Sequence, residues 1–405
     1  MANISQSAVL CPLNPAAHGK EFELLLTCAR PQPRREDFER QAALAANEID
    51  SEALLALARR HKISSLLYCN LRMHPIGTFD SYLLDELKKR HQFNTAKALK
   101  SLQTVQEFVH AKPEFPVTIL KGIDVGLRAY KDLAVRDVGD IDLLVPPEKV
   151  REAYDILASK GWFSPKKNYQ YFFSSAILRN SSHEMGLNRN QFPYLDLHWR
   201  PTYNPMELPW QYLKKNPLSV LNSTGSYGFS NELLLIYLCM HGSRHGWGRL
   251  KWLFDLPNVI EQIEIDWSVA WQKANELGVS FAVQQGLMLA ACYCGLQLSN
   301  EMTAGFRHRI SDAQWRSIEA FQSGPELWME YPPLHLAIHI WLNRIVTASR
   351  PRILLWYCLS MLNPSINDYE LISLPRKLEP LYFVLRPFTW ALRRLRIAQA
   401  RSDAH

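Results

Sequence analysis

The stretch "RDVGDIDLLVPPEKV", Arg136 to Val150, decides how the chain reads, because it sets two aspartates one residue apart at the head of an apolar run and closes that run with two prolines. In an extended strand, residues two apart point to the same face. Asp140 and Asp142 therefore share one side of a strand, with Ile141 and Leu143 on the other. Carboxylates held that close repel each other unless a cation neutralises them, and Mg2+ prefers carboxylate oxygens together with substrate phosphate. A divalent metal site is the economical account, although an isolated pair of this kind also occurs by chance without metal.

The flanking sequence strengthens the reading. Upstream, "PVTIL" (116–120) is a short β-branched run ended by Lys121 and Gly122, and "IDVGLRAYKDL" (123–133) has helical spacing. Downstream, "PPEKVREAYDILASKGW" (146–162) carries proline at the first helical turn and glycine after the last. Three further segments, "NYQYFFSSAIL" (168–178), "HEMGLNR" (183–189) and "YLDLHWR" (194–200), read as strands between polar turns. In the last of these Tyr194, Asp196 and His198 share one face, and an aspartate inside an apolar strand needs a partner. If that strand neighbours the one carrying Asp140 and Asp142, Asp196 completes a set of three acids.

Helices surround this unit on both sides. "DSEALLALARRHKISSLLYCNLR" (50–72) offers Asp50 or Ser51 as a cap before its leucines, and helical spacing continues from Ser81 to Val109. Beyond Pro209 the pattern is helical again. The expected fold is α+β, a small mixed sheet flanked by helical regions, divided as 1–112 helical, 113–205 the α/β core, 206–349 helical, and 350–405 a basic aromatic segment.

Composition bounds the rest. With 405 residues, 47% hydrophobic and 21% charged, the chain has the balance of an ordinary globular protein. Seven scattered cysteines without a CxxC pair fit a reducing compartment and argue against a disulfide scaffold or thiolate zinc site. "MANISQSAVLCPLNP" lacks the basic and apolar regions of a secretory signal, and the one apolar window long enough to span a bilayer, 279–298, carries Gln284 and Gln285 and reads as a buried helix. The cytoplasm is the expected location. The net charge is +7, and residues 350–405 hold nine Lys/Arg against four Asp/Glu. That amphipathic tail either packs on its own domain with its charges exposed or lies on an anionic membrane surface. Nothing resembles a nucleic-acid-binding module, so nucleic acid is not expected as a partner.

The segments "LKGIDVGLRAYKDLAVRDVGDIDLLV", "LDLHWR" and "HGSRHGWGRLKWLFDL", with the lead-in "LLALARRHKISSLLYCNLR", resemble the bacterial uncharacterised nucleotidyltransferase family of the DNA polymerase β-like superfamily. The resemblance runs from about residue 20 to about 390. It implies transfer of a nucleoside monophosphate from an NTP, ATP being one such donor, to an acceptor, with release of pyrophosphate. The cofactor implied is Mg2+, with Mn2+ as the alternative. Gly122 matches the superfamily glycine, Asp140 and Asp142 the metal-binding pair, and Asp196 the third acid that helps deprotonate the attacking hydroxyl. One departure stands out, since Ile123 follows the glycine where serine or glycine is usual, and Lys121 precedes it as a compensating positive charge or a solvated strand-end lysine.

On this reading Arg136 is the first candidate for the β- and γ-phosphates, its alternative being a surface arginine beside Asp137. Arg244, Arg249 and Lys251 are further phosphate candidates, unless one of them pairs with Asp255. His241 and His245 are four apart, but Gly242, Gly246 and Gly248 interrupt the helix and no HExxH arrangement follows. With His198 they are expected to support the site, through phosphate or acceptor contacts or a buried polar network, rather than bind zinc. Trp247 and Trp252 are expected in the core. The acceptor, whether small molecule, glycan, peptide or protein, is not readable. The competing function is a catalytically silent relative that binds nucleotide or a partner protein.

Overall fold

The computed structural model of the chain describes residues 18–402, apart from 112, 216–218, 222–225, 308–309, 325–331 and 348–349. Five helices lead in: α1 (Lys20–Leu26), α2 (Arg35–Ala45), α3 (Ser51–His61), α4 (Ser64–Leu71) and the long α5 (Ser81–His110). Local chemistry sets their ends. The Asp50 carboxylate accepts from the Ala53 amide to start α3, which stops where Lys62 turns left-handed at φ 56°, and Asp80 accepts from Tyr82 to start α5.

The sheet follows: β1 (Thr118–Ile119), α6 (Ile123–Val125) running into a wider turn through Tyr130, β2 (Asp140–Leu144), α7 (Val150–Ser159), α8 (Tyr171–Ser174), α9 (Ala176–Ser181), β3 (Glu184–Leu187), β4 (Tyr194–His198), α10 (Trp210–Lys215), β5 (Ser219–Leu221) and β6 (Ser226–Gly228). The strand order is β3-β4-β2-β1-β6-β5, with β2/β4 and β1/β6 parallel and the other pairs antiparallel. The α+β class with a small mixed sheet and helical flanks is what the sequence leads one to expect.

Two local expectations fail. Residues 168–178 form α8 and α9 instead of a strand, because the Ser175 hydroxyl caps α9 through the Leu178 amide, and Phe172 turns edge-on to Trp199, their rings 5.7 Å apart. Strands β5 and β6, beyond Pro209, extend the sheet where only helix was expected; three residues each carry too little alternation to register in a sequence pattern.

The remaining helices are α11 (Asn231–Arg244), α12 (Leu250–Gln262), α13 (Trp267–Leu277), α14 (Ser280–Cys294), α15 (Asn300–Thr303), α16 (Asp312–Ser323), α17 (Leu334–Thr347), α18 (Pro351–Ser360), α19 (Ile366–Leu371) and α20 (Leu381–Ser402). Helix α14 is the apolar window 279–298, buried on nearly every side. Among the described residues no helix is long and apolar enough to cross a membrane, and none of the six cysteines described is joined in a disulfide.

The strand alternation sorts the two faces. Ile141, Leu143, Leu195 and Leu197 enter one apolar core with Phe108 of α5, Leu157 of α7, and Tyr369 and Tyr382 from the C-terminal helices. Leu144, on the opposite face, joins a second core that unites α1, α3 and α4 with α11, α12 and α14. The polar side chains of β2 and β4 therefore look toward α11.

Candidate functional site

Register brings the acids together. Parallel strands β2 and β4 pair Asp142 with Asp196 and Leu144 with His198, while antiparallel β3 sets Gly186 opposite Asp196 and Glu184 opposite His198. Neighbouring strands lie about 4.8 Å apart, so Asp142, Asp196, His198 and Glu184 crowd one patch of one face. Donor atoms of Asp142, Asp196 and His198 all lie within 4.8 Å of one another. Asp142 is buried, whereas the Asp140 side chain is 41% exposed and stands at the rim. A side chain at Gly186 would strike the Tyr194 ring, whose hydroxyl lies 1.6 Å from where the β-carbon would be, so the glycine gives Tyr194 its place beside Asp196.

Lys121 supplies the neutralising charge. Its Nζ is 2.5 Å from Asp142 Oδ2 and 3.6 Å from Asp140 Oδ1. Burial opposes ionisation of both partners, but Asp140 and Asp142 hold the ammonium protonated, and Lys121 with His198 keeps the Asp142 carboxyl well below the usual carboxylate range. His198 Nε2 lies 3.3 Å from Asp142 Oδ1. Among the described residues no lysine or arginine pairs with Asp196, and His198 only partly offsets its burial. Burial, then the charges of Glu184 and Asp142, push it up to about 8, so at neutral pH this third acid carries a proton. The residues fit a divalent ion: three oxygen and nitrogen donors converge, and one acid stays uncharged for want of positive charge.

Gly122 makes the turn that aims Lys121. Its φ of 66° is left-handed, a conformation that suits glycine. Ile123 beside it is buried in the core on the opposite face of the sheet, so the position occupied by serine in the superfamily pattern here points away from the acids.

The expected phosphate residues are placed differently from one another. Arg136 is buried with Nε and Nη2 each 2.7 Å from an oxygen of Asp255, which also accepts from the Tyr130 hydroxyl at 3.1 Å. Asp255 thus pairs with Arg136 rather than with Arg244, Arg249 or Lys251, and Asp137 caps α4 through the Ser64 and Ser65 amides. Lys251 donates to the Asp137 carbonyl at 2.6 Å; burial and the neighbouring Arg136 push it down to about 7. The Arg249 guanidinium lies over the Trp252 ring at 5.9 Å. Arg244, at the end of α11, acts electrostatically on His183 and Glu184, which puts it at the β3 side of the acids.

His241 and His245 contact each other, ring centres 4.7 Å apart, and both contact Trp252. Burial pushes both well below the ordinary histidine value, and neither joins a three-ligand group among the described residues. The helix does not break at Gly242. It runs through to Arg244, and the missing side chain leaves room for the buried Trp247 ring, 2.2 Å from where a β-carbon would be.

Sequence reasoning missed Glu184 and His183. Both stand in "HEMGLNR", and a signal was present: a hairpin turning near Gln191, which has φ 64°, sets Glu184 across from His198.

A family profile described as "Uncharacterised nucleotidyltransferase" matches residues 47–295 of the 405, a span that holds every acid of the site together with α11, α12 and α14. No curated protein and no solved structure matches the chain. The register of Asp142 with Asp196, the glycine turn carrying Lys121, and a match over more than half the length converge on one statement: the chain belongs to the uncharacterised nucleotidyltransferase family.

Proposed function

We propose that the chain transfers a nucleoside monophosphate from an NTP to an acceptor hydroxyl or similar nucleophile, on the strand face that carries Asp140, Asp142 and Asp196. The acceptor oxygen forms its bond to the α-phosphorus as the bond from that phosphorus to the bridging oxygen breaks. Pyrophosphate leaves, and the acceptor's proton passes to an Asp196 carboxylate oxygen, the carboxyl having given up its own proton on holding the divalent ion. The observation that supports this best is the pairing of Asp142 with Asp196 across β2 and β4, with His198 beside them. Asp142 and Asp196, joined by Asp140 at the rim, would hold Mg2+ or Mn2+, which when bound neutralises phosphate charge and polarises the phosphorus centre. Lys121 is free to exchange its carboxylate partners for phosphate oxygens, and Arg244 approaches from α11. Burial of His241 and His245 favours a supporting role for them. Arg136 and Lys251 support the site from behind, by fixing the connection into β2 to α12 and α4.

Incubation with each labelled NTP, Mg2+ and cell extract tests the proposal. Label should pass to an acceptor with pyrophosphate release, and Asp142→Asn should abolish both. Binding of nucleotide without pyrophosphate release, under any acceptor supplied, would favour the silent relative instead. The seat of Lys121 between Asp140 and Asp142, where a cation would be needed, is the feature that favours that second reading.

We also propose that the C-terminal helices rest on an anionic membrane surface from the cytoplasmic side. Leu355 and Leu359 of α18 and Val384, Phe388, Trp390 and Leu392 of α20 are exposed, Phe388 by 65%, and the segment from Arg350 onward carries the basic excess. The face of α20 turned inward is instead Tyr382 and Thr389, with Arg386 and Arg393 on Asp368. Arg394 and Arg396 have side chains outside the described residues. Co-sedimentation with phosphatidylserine vesicles should fall on Phe388→Ser with Trp390→Ser. Equal binding to neutral vesicles, or none to either, would end this proposal.

A further inference from the structure

Strand β3 brings ligands of another chemistry to the edge of the acid patch. Glu184 is paired across strands with His198, and the His183 carbonyl accepts from the Trp199 amide at 2.9 Å, so backbone hydrogen bonds fix His183 beside the end of β4. One donor atom each from His183, Glu184 and His198 lies within 4.8 Å of the others. His183 Nε2 is 3.0 Å and His198 Nδ1 3.4 Å from the same oxygen, Glu184 Oε2. A tetrahedral ion with bonds of about 2.1 Å holds its ligands about 3.4 Å apart. Neither nitrogen makes a hydrogen bond of proper geometry, and His198 is only 4% exposed. An interior imidazole nitrogen is thus aimed at a carboxylate without satisfying it, a costly arrangement unless something else lies between them.

Two imidazoles and one carboxylate form a donor set unlike that of Asp142 and Asp196. It suits zinc and its neighbours, whereas Mg2+ takes oxygen. We infer that His183, Glu184 and His198 form a second metal site, for a borderline divalent ion of the Zn2+ class, on the β3 side of the acid patch. His198 serves both sites: Nδ1 faces the ion, and Nε2 donates to Asp142 Oδ1, the carboxylate–histidine–metal relation that fixes a ligating ring. The ion therefore orients Asp142 through one imidazole. The far side is closed by aromatic rings, Tyr203 edge-on to His183 at 5.7 Å and Trp356 of α18 edge-on to Tyr203 at 4.9 Å. Arg244 works against a cation here and Asp196, on the same face, works for it.

The test uses the full, tag-free chain, stripped by chelator and titrated with Zn2+ in a large excess of Mg2+, followed by X-ray absorption at the zinc edge. The expected result is one equivalent of Zn2+ that Mg2+ does not displace, with scattering from two imidazoles. His183→Ala should remove one imidazole and weaken binding by at least about 10-fold. Glu184→Gln, with thermal unfolding recorded for both variants, repeats the measurement without deleting a ring. Asp140→Asn should weaken Mg2+–nucleotide binding and leave Zn2+ affinity unchanged, which separates this site from the proposed transferase centre. No tight equivalent of Zn2+, coordination by oxygen alone, or unaltered affinity in folded His183→Ala would overturn the inference. It stands on β3 and β4 geometry and survives if nucleotidyl transfer is not found.

Discussion

Replacing Arg136 by methionine separates a structural arginine from a phosphate-binding one. Its guanidinium meets both oxygens of Asp255 at 2.7 Å, and both residues are buried, Asp255 at 0% exposure. Removing one partner of a buried ion pair leaves the other charge uncompensated, at a cost of about 3–5 kcal/mol. Here the Tyr130 hydroxyl remains on Asp255, which places the expectation nearer the lower figure, about 3 kcal/mol. That is roughly a hundredfold loss in the folding equilibrium, since about 1.4 kcal/mol is a factor of ten. Replacing both, Arg136→Met with Asp255→Leu, exchanges the pair for apolar contact and should recover most of the loss. Urea denaturation of wild type, both single variants and the double variant closes the cycle, with the denaturant slope checked for constancy. A loss under about 1 kcal/mol in Arg136→Met, or a double variant as unstable as the two singles summed, would refute the buried-pair account. Weakened nucleotide affinity at unchanged stability would instead return Arg136 to the phosphates.

Three further outcomes follow from the same geometry. Asp142→Asn should destabilise the metal-free chain, because it strips Lys121 of its 2.5 Å partner, whereas Asp196→Asn should stabilise it by roughly 1–3 kcal/mol while abolishing transfer, since it removes a carboxyl forced up to about 8; thermal melts in chelator would show both, and equal signs would contradict the charge assignment. Lys251, pushed down to about 7 when folded against about 10.4 when unfolded, makes the unfolded chain bind the extra proton between those values. Stability should therefore rise with pH across that window, and Lys251→Met should flatten the rise in a series of melting temperatures. Gly122→Ala forces a side chain into φ 66° and should cost about 1–2 kcal/mol, with loss of nucleotide binding as Lys121 is re-aimed; a variant that melts and binds as wild type would show that the turn is not needed.

What the sequence makes legible is whatever local chemistry specifies. Asp140 and Asp142 alternate with Ile141 and Leu143, Asp50 caps its helix, and Gly122 marks its turn, each within a few residues. What it hides is set by distant partners. Arg136 is an ion-pairing residue only because Asp255, 119 positions on, arrives beside it. The aromatic run at 168–178 has the composition of a strand and becomes helical because Ser175 caps α9 and Tyr171 meets Tyr369. Glu184 lay between these cases, since a hairpin register would have found it but nothing in its own neighbourhood announces a ligand.

The charge arrangement explains how this face can fold without a metal and, on the proposed function, be ready for one. Asp140, Asp142, Asp196 and Glu184 share the patch with Lys121, and leaving four carboxylates ionised in partly desolvated surroundings would be prohibitive. Lys121 settles Asp142, His183 and His198 settle Glu184, and Asp196 is left to hold a proton. A divalent ion held by Asp142 and Asp196 would relieve Asp196 of its proton and, on the proposed function, would release Lys121 from Asp142 toward phosphate. On the proposed function, the lysine next to the glycine turn would occupy the carboxylates until substrate and ion arrive together, and its partner Asp142, rather than the more exposed Asp140, would be the residue on which both stability and transfer depend.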